Sequence, residues 1–309
     1  MSTFNNKQFK QVDVFVQDGS FQGNPVAVFF FASNLSDEEM QRIANWTNLS
    51  ETTFVLPPSP SVTTPAEHTY RLRIFTPDQE LPFAGHPTIG SAHAVMEAGL
   101  VCADSNGKIY QECKAGLVEL TVAKDTGAIR FKLPYYKHTV YDTESSLIKK
   151  FADALGTSSD QIEHSVLVDD GPEWLTLLFK SGEVVKNIQY DSGKFAQICS
   201  EDSIQGVSIF GPFSEDSEDL IENSLTYEAR NLFMVCGSVI EDPVCGSGAG
   251  ADGSVLAECE GFEGNFIIRQ GRNVTRDGVI RVNVVKKTGE EGSDIHVGGK
   301  AVTIIDGKY

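Results

Sequence analysis

Two segments, Leu81–Gly90 and Glu241–Gly248, each follow an extended apolar stretch and lead into small apolar residues that predict a helix. In both segments a glycine stands beside a polar side chain near the predicted helix start. The first turn of a helix has unpaired N–H groups and the positive end of the helix dipole, so it binds carboxylate or phosphate readily. The pair, one from each half of the chain, therefore predicts two helix starts that face each other and hold a small anion.

The limits of these helices follow from the flanking residues. Pro87 fits a first turn because its φ is fixed and it lacks an N–H donor, and Gly99 ends the helix after about Ala98. The second helix is predicted over Ala249–Glu260, with Gly261 as its end. Its glycines weaken that pattern because glycine is a poor helix former.

Three polar residues near the predicted turns each have an ordinary structural interpretation. Glu51 stands at the start of a predicted strand, Thr52–Leu56, between a polar turn and an apolar run. Composition alone favours an ordinary surface glutamate there. For His86 the simpler interpretation is a helix-cap or core histidine bonded to backbone, and for Asp242 it is an Asp-Pro turn.

The composition predicts a globular protein without nucleic-acid or membrane partners. The 309 residues are 40% hydrophobic and 22% charged, with a formal net charge of -18 and a pI of about 4.7. This acidity disfavours nucleic acid and anionic membrane surfaces, although local dipoles can still hold a small anionic substrate. The sequence contains no stretch of 18 apolar residues, so no membrane span is predicted.

The N-terminus and the cysteines predict a cytoplasmic protein without a metal. The segment Met1–Lys7 lacks the apolar core of a signal peptide. His86 and His93 stand seven residues apart without an HExxH-type cluster, which disfavours a metal hydrolase. The cysteines form no CxxC pair, so neither a zinc site nor a disulfide framework is predicted. They are Cys102, Cys113, Cys199, Cys236, Cys245 and Cys259.

The order of the predicted elements repeats in the two halves, which indicates a duplicated α+β unit. Hairpins, and the lack of a GxGxxG motif or P-loop before a helix, argue against a Rossmann fold. The break at Pro134–Tyr136 divides the chain into an N-terminal half at 1–133, which the C-terminal tail could join, and a C-terminal half at 134–309. The loops Pro57–Glu67 and Ser214–Glu222 are predicted to be solvated surface that could reshape the entrance to a site.

Five separated segments of the chain, in this order, resemble the phenazine-biosynthesis PhzF-like family. They are Gln22–Val28, Asn48–Phe54, Arg73–Pro77, Glu80–Gly90 and Glu241–Ser247. The resemblance implies a diaminopimelate-epimerase-like fold of two pseudo-symmetric domains. Each domain would be a mixed, barrel-like sheet around a central helix, with the active site in the cleft between them.

The resemblance also implies an activity and a set of site residues. The characterised family member is a homodimer that isomerises trans-2,3-dihydro-3-hydroxyanthranilate without a metal or an organic cofactor. By this resemblance Glu51 is the acid/base that moves the proton on a small carboxylate-bearing substrate. The other catalytic positions that it implies are His86, Asp242 and Ser247. The backbone N–H groups that would bind the substrate carboxylate are those of Gly85 and Gly246.

Cys245 departs from the pattern of the related epimerases, which use two cysteines, one from each half. The first half has Ala84 at the corresponding position. We interpret Cys245 as a small packing residue in the substrate site, where the phenazine enzyme has threonine; a relic base and an oxidation-sensitive thiol are the alternatives. Two other functions stay open at this point: a Cys-assisted amino-acid epimerase or racemase, and a non-catalytic small-molecule-binding or interaction protein.

Overall fold

The computed structural model describes residues 8–17, 19, 21–235, 237–289 and 291–309. Cys236 and the segment Met1–Lys7, both considered above, lie outside these residues. The chain forms two compact units. The first comprises Met1–Lys132 and Gly298–Tyr309, and the second comprises Leu133–Val297.

Six helices and seventeen strands are found in the described part of the chain. The helices are α1 (Asp37–Thr47), α2 (Gly85–Glu97), α3 (Ser146–Ala154), α4 (Gly182–Asn187), α5 (Ser192–Asp202) and α6 (Gly246–Cys259). The strands of the N-terminal part are β1 (Gln8–Val16), β2 (Asn24–Phe29), β3 (Glu51–Leu56), β4 (Thr69–Phe75), β5 (Glu80–Leu81), β6 (Lys108–Cys113), β7 (Gly116–Val122) and β8 (Ile129–Lys132). The remaining strands are β9 (Lys137–Tyr141), β10 (Ile162–Asp169), β11 (Glu173–Phe179), β12 (Gly206–Pro212), β13 (Thr226–Val235), β14 (Ser238–Asp242), β15 (Gly264–Gln270), β16 (Gly278–Lys286) and β17 (Ser293–Lys308).

The first unit is a ring of eight strands around α2. Strands β2 and β3 are parallel, as are β4 and β6, while β1–β2, β3–β4, β6–β7 and β7–β8 are antiparallel. Strand β17 pairs with both β1 and β8 and so closes the ring. Helix α2 is buried over nearly its whole length because it lies against strands of the ring. Gly90 is required there, since a Cβ at this position would lie 2.4 Å from Cγ1 of Val26.

The second unit repeats this order of pairings around α6. Strands β11 and β12 are parallel, as are β13 and β15, while β10–β11, β12–β13, β13–β14 and β15–β16 are antiparallel. Strands β2, β3, β4 and β5 thus correspond to β11, β12, β13 and β14, and α2 corresponds to α6. The predicted α+β fold, with a mixed sheet around a central helix in each of two pseudo-symmetric halves, is confirmed.

Helix α6 begins at Gly246, three residues before the predicted start at Ala249. The prediction began late because glycine disfavours a helix, but here the missing side chains are needed for packing. A Cβ at Gly248 would lie 2.0 Å from Nδ2 of Asn231, and one at Gly250 would lie 2.9 Å from Cδ1 of Leu133.

The acidic loop at 214–222 contains no helix or strand, but it is not simply solvated surface. The Asp219 carboxylate is 15% exposed and accepts from Lys186 at 2.5 Å and from Arg269 at 3.0 Å. The prediction of a fully solvated loop is therefore wrong at Asp219, because three cations, Arg272 included, fasten this side chain to the second unit.

Candidate active site

One polar cluster joins the start of β3 to the start of α2 in the first unit. Glu51 is the first residue of β3, and His86 is the second residue of α2. Nε2 of His86 lies 3.3 Å from Oε2 of Glu51, and the two side chains are only 7% and 16% exposed. The fold thus brings together a glutamate and a histidine that are 35 residues apart in the chain.

The hydrogen bonds of His86 fix where its proton sits. Burial lowers the pKa of His86 to about 3, although a hydrogen bond to the Pro25 backbone opposes this. Proline has no N–H, so the Pro25 carbonyl accepts and the imidazole donates. Because Nε2 faces Glu51, the donor is Nδ1, and Nε2 keeps its lone pair. A proton on Oε2 of Glu51 would be shared with that lone pair, whereas an ionised Glu51 would face it directly.

The pairing of β2 with β3 explains this arrangement. Val26 is the partner of Glu51 in the parallel pair, so the carbonyl of the preceding Pro25 lies near the mouth of β3. Sequence analysis singled out both Gln22–Val28 and Glu51. It gave no sign that the Pro25 carbonyl sets the tautomer of the histidine that faces Glu51.

The second polar cluster lies at the start of α6 in the second unit. Cys245 is the N-cap residue, and its Sγ accepts from the backbone N–H of Gly248 at 3.3 Å. Serine and threonine oxygens usually fill this capping role. Burial and the nearby Asp242 and Asp170 carboxylates raise the pKa of the Cys245 thiol well above its ordinary value. Cys245 is therefore a protonated capping thiol rather than a reactive thiolate.

Ser247 is the second residue of α6, as His86 is the second residue of α2. Its Oγ accepts from the indole Nε1 of Trp174 at 3.2 Å. Oγ also lies 3.5 Å from Sγ of Cys245, and the hydroxyl keeps one proton that it can donate either to that sulfur or to a substrate. Trp174 was missed in the sequence because it stands in an apolar strand; the one available signal is that a buried indole N–H needs an acceptor.

Asp242 ends β14 beside the cap of α6. Its Oδ1 accepts from the backbone N–H of Val244 at 3.0 Å, and the Cys245 thiol also hydrogen-bonds to its side chain. Burial, together with the charge of Glu241, raises the pKa of Asp242 to about 6. The carboxyl group therefore changes its charge close to neutral pH.

Two further buried carboxyl groups, one within α6 and one beside it, were missed in the sequence. Asp252 is fully buried, and its Oδ1 accepts from the Ser208 hydroxyl at 2.8 Å. Asp170, which the sequence showed only as part of a turn, is 5% exposed. Burial raises the pKa of both side chains well above the ordinary aspartate value. Asp252 could have been noticed as a charged residue inside an otherwise small and apolar helix.

We expect Asp252→Asn to flatten the dependence of stability on pH. Because the folded-state pKa of Asp252 is raised, its contribution is fully present below the unfolded-state pKa and is lost as the pH rises through the folded-state value. Up to about 1.4 kcal/mol per pH unit disappears in that window. Urea unfolding at about pH 4, near the unfolded-state pKa of aspartate, and at pH 8 should show the variant close to the wild type at the lower pH and more stable at the higher one. The shifted histidines are common to both proteins, so an equal pH dependence in both would contradict this assignment.

No group of three or more His, Cys, Asp or Glu side chains that could hold a metal occurs among residues 8–17, 19, 21–235, 237–289 and 291–309. Within the same residues, no helix is both long and apolar enough to cross a membrane.

Known proteins resemble this chain in sequence and in fold. The sequence model of the family described as "Phenazine biosynthesis-like protein" matches residues 12–307. The chain is 45% identical over 308 residues to antisense-enhancing sequence 1 of Schizosaccharomyces pombe, with 97% of each chain covered. Over 118 residues, 38% of each chain, it is 42% identical to trans-2,3-dihydro-3-hydroxyanthranilate isomerase of Pseudomonas aeruginosa. The crystal structure of a PhzF-family phenazine biosynthesis protein from Bacillus anthracis matches 99% of each chain with a TM-score of 0.80 and 24% identity.

The fold is that of α+β proteins built around two central helices. Relatives from Pasteurella multocida and Mesorhizobium japonicum, 32% identical over 95% and 96% of the chain, are named as isomerases. The chain belongs to the phenazine biosynthesis-like, or PhzF-like, family. The family resemblance seen in five sequence segments is confirmed, and so is the prediction of an isomerase.

Proposed function

We propose that this protein is a cofactor-independent isomerase that moves a proton, and with it a double bond, on a small carboxylate-bearing metabolite similar to trans-2,3-dihydro-3-hydroxyanthranilate. The observation that carries the proposal is the 3.3 Å contact between Glu51 and a buried histidine whose other nitrogen donates to Pro25. The Pseudomonas aeruginosa relative named for this activity, which matches 118 residues of the chain, supports the class of substrate.

The Glu51–His86 pair suits a carboxylate that takes a proton from one carbon and returns it to another. An ionised Glu51 lies against the lone pair on Nε2 of His86, which is unfavourable in a buried site. When Glu51 takes up a substrate proton, Oε2 gains a hydrogen that His86 can accept. The neutral imidazole thus favours proton uptake by Glu51 and stabilises the intermediate state in which the enzyme holds the proton.

The start of α6 supplies groups that suit the carboxylate of such a substrate. The N–H groups of the first turn, including that of Gly246, carry the positive end of the helix dipole, and Ser247 has a hydroxyl proton to donate. Helix α2 offers a second such start at Gly85. Asp242, ionised above about pH 6, can accept from a substrate amino or hydroxyl group. We propose that these groups and Glu51 act on one substrate molecule.

The test is an NMR assay of the protein with trans-2,3-dihydro-3-hydroxyanthranilate in D2O. Isomerised product that carries solvent deuterium is the expected result, because a proton held on a carboxyl group exchanges with solvent. Isomerisation without any deuterium in the product would contradict this proton route. No reaction at all would rule out this substrate. Carboxylate metabolites would then be screened for binding.

Replacing Cys245 separates this function from that of a Cys-assisted epimerase or racemase. We expect Cys245→Thr to keep turnover within about threefold, because a threonine oxygen can also accept from Gly248 and cap α6. Cys245→Ala should instead lose about 1 kcal/mol of stability through the missing cap. Turnover and urea unfolding of both variants check this. Loss of turnover in the threonine variant, with its stability intact, would favour catalysis by the thiol.

The cytoplasmic location, the homodimer and the independence from a cofactor stay predictions from the sequence and its family resemblance. Size-exclusion chromatography with light scattering would test the dimer.

A further inference from the structure

A row of polar side chains crosses four strands of the second unit beneath α6. In the strand register, Thr176 of β11 is the partner of Ser208 in β12, Ser208 is the partner of Asn231 in β13, and Asn231 is the partner of Asp242 in β14. Directly paired residues point to the same face of a sheet. The contacts of Ser208 with Asp252 and of Asn231 with Gly248 show that this face is turned toward α6.

The row lies between apolar layers. One layer contains Trp174 and Phe233, whose rings pack edge to face at 6.5 Å, and the layer on the other side contains the buried Phe210. Thr176, Ser208 and Asn231 are all fully buried. A polar line leads in this way from Asp242 into the interior of the unit.

The first unit shows that the fold does not require a polar residue at the position of Asn231. By the matching order of strands, Thr53 corresponds to Ser208, and its partner in β4 is Ile74. Ile74, fully buried, thus stands where the second unit has Asn231. Thr53 is hydrogen-bonded to Ser91 of α2 at 2.9 Å, just as Ser208 is bonded to Asp252 of α6. The amide is therefore an addition to a layout that works with an apolar residue.

The Asn231 amide lacks a hydrogen-bond partner among the residues that the structure describes, at both Nδ2 and Oδ1. An unpaired buried amide destabilises a fold, so its presence calls for a partner in some state of the protein. Because Asn231 is sealed from solvent, a substrate would not meet it directly. Its cross-strand neighbour Asp242 is half-buried, and the Cβ atoms of such neighbours lie about 5 Å apart, within reach of a hydrogen bond between their side chains.

We propose that Asn231 is a positioning residue for Asp242, whose amide Nδ2 donates to the ionised carboxylate and holds it ready for an amino or hydroxyl group of the substrate. The consequence for catalysis rests on the proposed function, but the contact itself does not. An amide suits this position because it is neutral and can donate to the carboxylate form or accept from the acid form.

Other groups around Asp242 also act on its carboxyl group. The Val244 N–H and the Cys245 thiol hydrogen-bond to its side chain. Glu241, next in the strand, is held by Arg230 at 2.8 Å, and Asp170 acts on the neighbouring Cys245 thiol. The charge of Glu241 acts against the ionised form of Asp242, so a neutral donor on β13 would offset it in part.

Carboxyl-carbon NMR of the protein labelled with ¹³C-aspartate tests the contact without any substrate, with Asp242→Asn used to assign the signal. In Asn231→Leu, which keeps the number and branching of the side-chain heavy atoms, we expect the titration midpoint of Asp242 to rise by about one pH unit, a tenfold change in proton affinity. Thr176→Val is the matched control, because it removes a buried polar group from the same row two strands away. It should leave the midpoint unchanged.

An unchanged midpoint in Asn231→Leu, or an equal shift in Thr176→Val, would overturn the proposal. If Asn231→Leu does not fold, the side-chain ¹⁵N–H signals of Asn231 in the wild type decide, since they must titrate with the midpoint of Asp242. Signals that do not change from pH 4 to pH 8 would also overturn it. If the carboxyl titration moves as expected while the D2O assay shows no isomerisation, the contact stands and the proposed substrate is wrong.

Discussion

Glu51→Gln should lower turnover of trans-2,3-dihydro-3-hydroxyanthranilate by about 10²- to 10⁴-fold, the usual loss when a general acid/base is removed. An amide of the same shape cannot take a proton from carbon. It can, however, donate an N–H to the lone pair on Nε2 of His86, so the contact seen at 3.3 Å is kept in a neutral form. We therefore expect the variant to fold normally and to bind substrate with little change in affinity.

The measurement combines product formation and deuterium uptake in D2O with urea unfolding of the same samples. Glu67→Gln is a suitable control, because Glu67 is an exposed glutamate of the same unit and lies outside the candidate site. The control should match the wild type. Turnover by Glu51→Gln within tenfold of the wild type would show that another group moves the proton, and the proposed mechanism would have to be abandoned.

The two segments that carry the helix starts could be predicted from the sequence. Local rules for turns and helix ends placed these starts near Pro87 and Ala249, whereas the roles of His86 and Ser247 and of the Gly85 and Gly246 N–H groups came from the family resemblance. The family resemblance added Glu51, which composition alone would have treated as a surface residue. The family resemblance placed Glu51 and His86 in one active site, but only the structure shows that their side chains are in contact.

The remaining parts depend on strand register, which a single sequence does not define. Nothing local to Asn231 indicates that it pairs with Asp242, or that Ser208 meets Asp252 across 44 residues. Likewise Trp174 fits an apolar strand by composition, and only the fold shows its N–H on Ser247. Strands β9 and β14 were not predicted because both are short and partly exposed, with little of the apolar pattern that marks a buried strand.

The glycines of α6 explain both why this helix was difficult to predict and why polar strand residues lie close to it. The glycines of α6 weaken its helix signal, and they also allow β-strand side chains to approach the helix backbone closely. A helix with ordinary side chains would be easier to recognise, but it would hold Asn231 away from the first turn. A helix whose glycines weaken its signal in the sequence thus lies beside three buried polar side chains of the second unit, Asp170, Ser208 and Asn231.

Gly248→Ala should be among the most destabilising small substitutions in the protein. Its effect on stability should reverse when Asn231 is also replaced by alanine. The added Cβ would lie 2.0 Å from Nδ2, 2.6 Å from Cγ and 2.7 Å from Oδ1 of Asn231. Overpacking of this kind costs about 1–3 kcal/mol, whereas alanine in place of glycine within a helix gains about 1 kcal/mol. The clash is with a fully buried side chain that has little room to move, so we expect the loss to dominate and the start of α6 to be displaced.

A double-mutant cycle measures this coupling directly. In the Asn231→Ala background all three clashing atoms are gone, so Gly248→Ala should stabilise the protein by up to about 1 kcal/mol through helix propensity. Gly307→Ala, in strand β17, is the control for adding a Cβ without a clash, because a Cβ there meets no atom within 4 Å. Urea unfolding of the four proteins of the cycle gives the coupling energy. If Gly248→Ala is equally destabilising with and without the Asn231 side chain, the two residues are not in the contact described. The polar row would then lose its link to the helix start at which the substrate carboxylate is proposed to bind.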